Sequence, residues 1–170
     1  MKERADAEIR QSIRDRVARV YPADAAPRLA DELIALADSY RERIAPRAGG
    51  WSERDAFLIT YGDTVTRADE APLRTLDGFL SARLREAVSF VHLLPFFPFS
   101  SDDGFSVIDY RAVREDLGDW DDVDHLARSF RPVFDAVVNH VSRESEYIRG
   151  YCGGDARYEG FALALDPNTD

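Results

Sequence analysis

Two short stretches of this sequence carry residue types suited to holding a polyhydroxylated ring. One is Pro95-Phe96-Phe97-Pro98-Phe99-Ser100-Ser101-Asp102-Asp103-Gly104-Phe105; the other is Asp135-Ala136-Val137-Val138-Asn139-His140. Carboxylates accept hydrogen bonds from vicinal hydroxyls, a histidine donates from a ring nitrogen, and an aromatic face covers the apolar C–H side of a sugar. Asp102 and Asp103 supply the carboxylates, His140 the imidazole and Phe105 the wall. Each residue also has a plainer role available. Asp-Asp before Gly is a common turn composition with Asx-type hydrogen bonds. Phe96, Phe97 and Phe99 suit core packing, His140 suits a structural position after a strand, and Asn139 can cap the turn beside it. Asp135 is harder to explain away, because a carboxylate in an apolar run needs a hydrogen-bond or ion-pair partner.

Other chemistries find little support. His92, His125 and His140 are widely spaced, with no HExxH, CxxC or EF-hand pattern beside them, so no metal site is expected. Ser142 lies near His140, but there is no GxSxG elbow and no evident orienting carboxylate, which argues against a nucleophilic triad. The turn Thr60-Tyr61-Gly62-Asp63-Thr64 offers neither GxGxxG nor GxxxxGK[ST], and no cofactor is expected. The 22 Lys and Arg stand against 32 Asp and Glu, a net charge of −10 that repels phosphate backbones and anionic lipid alike. Neither nucleic acid nor membrane is therefore an expected partner. The single Cys152 and an opening Met-Lys-Glu-Arg-Ala-Asp-Ala-Glu without an apolar stretch point to a cytoplasmic address. The longest apolar stretch, Ala87 to Phe99, contains Ser89, His92, Pro95 and Pro98 and falls short of the ~20 residues a bilayer demands.

The elements that must position these residues follow from periodicity. Ile9, Ile13, Val17 and Val20 predict a helix over 7–21, with Asp6 as its cap and Pro22 as its stop. Leu29, Leu33, Leu36, Ala37, Tyr40 and Ile44 predict a second helix after Pro27, and the two read as a helical hairpin. The break at Ala45-Pro46-Arg47-Ala48-Gly49-Gly50 separates a helical extension, 1–50, from the remainder, 51–170. Beyond it the runs 56–61, 90–94 and 133–138 predict buried strands, the first covered on both faces. Between them, Leu73, Leu76, Phe79, Leu80, Leu84 and Val88 form one helical stripe. Asp119 caps another helix through Val123, Leu126 and Ala127, with Asp121 and Asp122 in its first turn. This alternation predicts an α/β fold with a parallel sheet, either open or the start of a closed barrel. The Asp102 and His140 segments then leave the C-terminal ends of successive strands, the rim where such folds build active sites.

The stretches Leu58-Ile59-Thr60-Tyr61, His92 through Tyr110, Leu117-Gly118-Asp119-Trp120 and Asp135 through Ser142 together resemble the sucrose phosphorylase subfamily of the α-amylase clan. The likeness covers roughly residues 55 to 170. The long central motif is specific to that subfamily, and the Asn-His ending is shared across the clan. The helical extension and the closing Ala164-Leu165-Asp166-Pro167-Asn168-Thr169-Asp170 are similar to the glucosylglycerate phosphorylase branch. The resemblance implies the N-terminal part of a (β/α)8 TIM barrel preceded by the helical hairpin. It implies a retaining transfer of glucose from an α-glucoside to inorganic phosphate, these two being the partners. Asp102 and His140 resemble the residues that hold the glucose hydroxyls, Phe105 the aromatic platform, and Asp135 and Asn139 the supporting signature. The family's nucleophile Asp lies on strand four, its acid/base Glu on strand five and a further Asp on strand seven. Residues 51–170 carry only the first three strand–helix units, so no catalytic residue is expected within them. A related hydrolase or transglycosidase and a non-catalytic sugar-binding fragment are the alternatives.

Overall fold

A computed structural model describes residues 2–41, 43 and 52–168. The chain falls into two compact units, Met1–Gly50 and Trp51–Asp170.

In the first unit, α1 spans Lys2–Val20 and α2 spans Ala26–Arg41. The start of α1 lies earlier than its apolar period suggests. Asp6 is therefore inside the helix and not its cap, and its carboxylate accepts from Arg41 at 2.9 Å. Pro27 sits in the first turn of α2, where its missing N–H leaves no bond unmade. Ile44 and the Ala45–Gly50 break lie outside the described residues.

The face joining the helices also differs from the expected one. Leu33, Leu36 and Tyr40 are 48%, 55% and 47% exposed, whereas Ala26, Ala30 and Ile34 are buried. On α1, Val17 is buried and Ile13 packs beside it, while Ile9 and Val20 are exposed. Small side chains let the two backbones approach closely. Alongside them, Arg10 pairs with Asp38 at 2.7 Å and Arg14 with Asp31 at 3.1 Å. With Arg41–Asp6, these pairs join opposite ends of the two helices, so they run antiparallel.

The second unit holds β1 (Phe57–Thr60), α3 (Pro72–Arg83), β2 (Phe90–Leu93), a 3-10 turn (Asp102–Gly104), α4 (Trp120–Ser129), β3 (Arg131–Phe134), α5 (Glu146–Cys152) and a second 3-10 turn (Ala156–Tyr158). The three strands form one parallel sheet in the order β1-β2-β3, as the alternation predicts. Phe57 pairs with Phe90, and Phe90 with Arg131.

The third strand lies earlier than expected. It begins at Arg131, directly after α4, and ends at Phe134, so Asp135 to Val138 lie beyond it. Its neighbour β2 stops at Leu93, and Pro95 has no N–H to extend the ladder.

Side chains alternate across the sheet. Leu58, Val91 and Leu93 join Leu73, Leu76 and Leu80 of α3 and Val123 and Leu126 of α4 in one core. On the other face Phe57 stacks on Phe90 with ring centroids 4.2 Å apart, and the Arg131 guanidinium lies 4.8 Å over the Phe90 ring. Phe57 and Ile59 are nonetheless 45% and 62% exposed, so β1 is covered on one face and not on both. Leu58, half-buried, packs against the core on the opposite side of the sheet. Phe79, expected in the α3 stripe, also points outward.

At α4, Asp119 accepts from the Asp122 N–H and Asp122 accepts from the Asp119 N–H, a reciprocal capping box. The buried Asp122 also takes two bonds from Arg74, which lock α4 to α3.

Candidate functional site

The loop leaving β2 folds into a tight arch. The Pro98 carbonyl accepts from the Ile108 N–H, the Ser100 N–H donates to the Ser106 carbonyl, and Phe99 bridges Val107, so the segment between them is pinched into a turn. Three consecutive residues at its tip have left-handed backbone: Asp102 at φ 59°, Asp103 at 48° and Gly104 at 104°. Gly104 is required there, because a Cβ would sit 2.8 Å from the Pro95 carbonyl oxygen. The arch presents the Asp102 side chain to solvent, while Phe105 packs partly against the core. Phe96 and Phe97 are buried, as core packing requires.

Beyond β3 the chain is bound to that arch from two sides. The Tyr110 hydroxyl donates to the Val137 carbonyl at 2.6 Å and lies 3.4 Å from that of His140. Ser142, 1% exposed, donates its N–H to the Val107 carbonyl at 2.9 Å, and its hydroxyl lies 2.7 Å from that of Ser100. Its Oγ also accepts from the Glu144 N–H at 3.0 Å. The Ser142 hydroxyl thus ties its own turn to the arch. Asn139 and His140 are exposed between these anchors. They line an open hollow of about 730 Å³ with Tyr110, Val138, Phe161 and Leu163.

Asp135 has the partner its setting demands. Its Oδ2 lies 3.0 Å from Nε2 of His92, and both side chains are about three-quarters buried on the open face of the sheet. The structure thus joins His92 to Asp135 and places Asn139 and His140 around one hollow. It ties the Asp102 arch to the His140 turn through Ser142, although Asp102 and Phe105 do not line that hollow.

Sequence reasoning missed His92, Tyr110 and the Ser100–Ser142 link. His92 stands two residues after Phe90 on β2, a signal that would place both on one sheet face, but its meeting with Asp135 depends on strand register. The serine pair bridges segments 42 residues apart, and nothing in the local pattern announces it.

Charge around the rim is arranged in pairs. Arg111's backbone N–H holds the Asp109 carboxyl below its usual range against the opposing effect of burial, and the Arg111 guanidinium adds to the lowering. Arg111 also reaches Glu146 at the start of α5. Arg114 bridges Asp116 and Asp63, and these bonds raise it further above the usual guanidinium range although burial pulls the other way. Burial, with a smaller contribution from Tyr147, raises the Tyr110 hydroxyl above the ordinary tyrosine value. Among the described residues, no cluster of three or more His, Cys, Asp or Glu could hold a metal ion, and no helix is long and apolar enough to cross a membrane.

No protein-family model matches the chain. Curated proteins similar to it in sequence include glucosylglycerate and sucrose phosphorylases. A glucosylglycerate phosphorylase from Allomeiothermus silvanus is 45% identical over 163 residues, covering 96% of this chain and 29% of that protein. A sucrose phosphorylase from Streptococcus mutans is 43% identical over 95 residues, or 56% of this chain and 19% of that one. The chain therefore spans less than a third of the length of these curated relatives. Among solved structures, sucrose 6F-phosphate phosphorylase from Thermoanaerobacter thermosaccharolyticum superposes on 60% of this chain and 20% of its own, with a TM-score of 0.54 and 34% identity.

Proposed function

The chain is a homologue of the glucosylglycerate and sucrose phosphorylases, and from that premise we propose that it is the N-terminal part of a retaining α-glucoside phosphorylase. Residues 51–170 would be the first three strand–helix units of an eight-unit barrel, and residues 1–50 a helical extension ahead of it. The near end-to-end match with a glucosylglycerate phosphorylase, 96% of this chain at 45% identity, carries this reading and favours glucosylglycerate over sucrose as donor.

In this proposal a carboxylate nucleophile from a later strand displaces the aglycone from the anomeric carbon while a later Glu protonates the departing oxygen. Phosphate then attacks the glucosyl-enzyme from the opposite face, releases the nucleophile and leaves α-glucose 1-phosphate. The chain's own part is to hold the sugar. Asp102, at the tip of its left-handed arch, accepts from glucose hydroxyls, His140 donates from its ring, and Phe105 offers the part of its ring left free by the core. Asp135, paired with His92, and Asn139 hold the floor of the donor subsite.

The test uses the full-length parent, the protein in which this chain continues past Asp170. It should release α-glucose 1-phosphate from glucosylglycerate only when phosphate is present, with sucrose and sucrose 6-phosphate as comparison donors. Glucose release at an equal rate without phosphate would identify a hydrolase instead. No reaction with any of the three donors would overturn the assignment.

A further inference from the structure

Ser142 is among the most enclosed polar residues in the second unit, and the sugar-holding groups do not account for its burial. It is 1% exposed, its hydroxyl meets Ser100 and the Glu144 N–H, its own N–H meets the Val107 carbonyl, and its carbonyl accepts from the Ser145 N–H. Two of these bonds cross between segments. The hydroxyl pair ends at Ser100, two residues before Asp102, and the N–H bond ends at Val107, two residues after Phe105. On its own segment, Ser142 stands two residues after His140. Both flanks of the Asp102 arch are thus fastened at a single residue on the turn that carries His140.

We propose that Ser142 is a positioning residue that fixes the distance between Asp102 and His140, so that both can engage one glucosyl ring. The proposal rests on the sugar-holding roles assigned above. Neither group is held directly: Asp102 is exposed, and no hydrogen bond anchors the His140 side chain among those described. Their relative placement depends on the two backbones, and Ser142 is where those backbones meet. An arch with left-handed residues at its tip, set on a loop, needs such an anchor. Displacing a binding group by about 1 Å can cost up to about a hundredfold in rate.

Ser142→Ala removes the hydroxyl and leaves both backbone bonds in place. In the full-length parent it should lower kcat/KM for phosphorolysis about tenfold at a temperature where the protein stays folded. In an Asp102→Ala background the same substitution should change kcat/KM less than twofold, because the group being positioned is already gone. Ser100→Ala breaks the same hydroxyl pair from the exposed partner, and should give a smaller loss with the same dependence on Asp102. Equal losses with and without Asp102 would show a merely structural serine and overturn the proposal, as would no loss at all. A parent inactive on every glucoside would remove the functional reading and this proposal together. An active parent with additive losses would remove only this one.

Discussion

Asp102 occupies backbone that most residues avoid, beside the left-handed Asp103 and Gly104, and its side chain is exposed. If that carboxylate and His140 grip glucose hydroxyls, Asp102→Ala or His140→Ala in the full-length parent should lower kcat/KM by about 3 kcal/mol, since charged hydrogen bonds tighten as the ring flattens in the transition state. Stability should fall far less, by about 1 kcal/mol for Asp102→Ala, because alanine is strained in left-handed backbone. Unchanged activity would return both residues to ordinary turn roles. Tyr110 yields a pH prediction. Its folded value is raised by burial, so its contribution is complete below the unfolded value of about 10 and is lost as pH rises through the higher folded value. The full-length parent should lose stability above about pH 10 relative to Tyr110→Phe, as read by urea titration across pH 8 to 11; parallel curves would contradict this. The sequence motif picked out Asp102, Phe105, Asn139 and His140, and the apolar run around Asp135 called for a partner. That the partner is His92 could not be read there, because it depends on the offset between two strands.

At the scale of elements, end signals read well and faces less so. Asp119 was legible as the cap of α4, because a cap acts through its own next turn. Asp119→Ala should cost about 1 kcal/mol in a thermal melt of the full-length parent. Asp122→Ala should cost more, since it removes the reciprocal cap and leaves Arg74 without its buried acceptor. Equal costs would mean that the Arg74 bond contributes nothing. The α1–α2 contact was not legible for the opposite reason. The largest apolar residues of α2, Leu33, Leu36 and Tyr40, set the visible stripe, yet alanines allow the closest approach and the Arg–Asp pairs flank that side. Periodicity finds where apolar bulk lies, not which face meets a neighbour. The end of β3 failed similarly: Val137 and Val138 look like strand, but the ladder stops where β2 turns away at Pro95.

For the whole molecule, charge and sheet dominate. A net charge of −10 disfavours compaction slightly but helps keep the chain dispersed. Against this, the sheet has three strands, so β1 and β3 are edges among the described residues, and one face leaves Phe57 and Ile59 exposed. Such edges and faces invite association. The 170-residue chain expressed alone should form no α-glucose 1-phosphate from glucosylglycerate and phosphate. It should bind a hydrophobic dye and melt without a sharp transition. A monomer with a cooperative melt would contradict the second expectation, and measurable product the first. The parallel order β1-β2-β3 repeats the order of synthesis, so each strand emerges from the ribosome to find its neighbour already made. Pairing can then keep pace with translation while Phe57 and Ile59 stay partly exposed. An exposed apolar face of this kind is what a chaperone would hold.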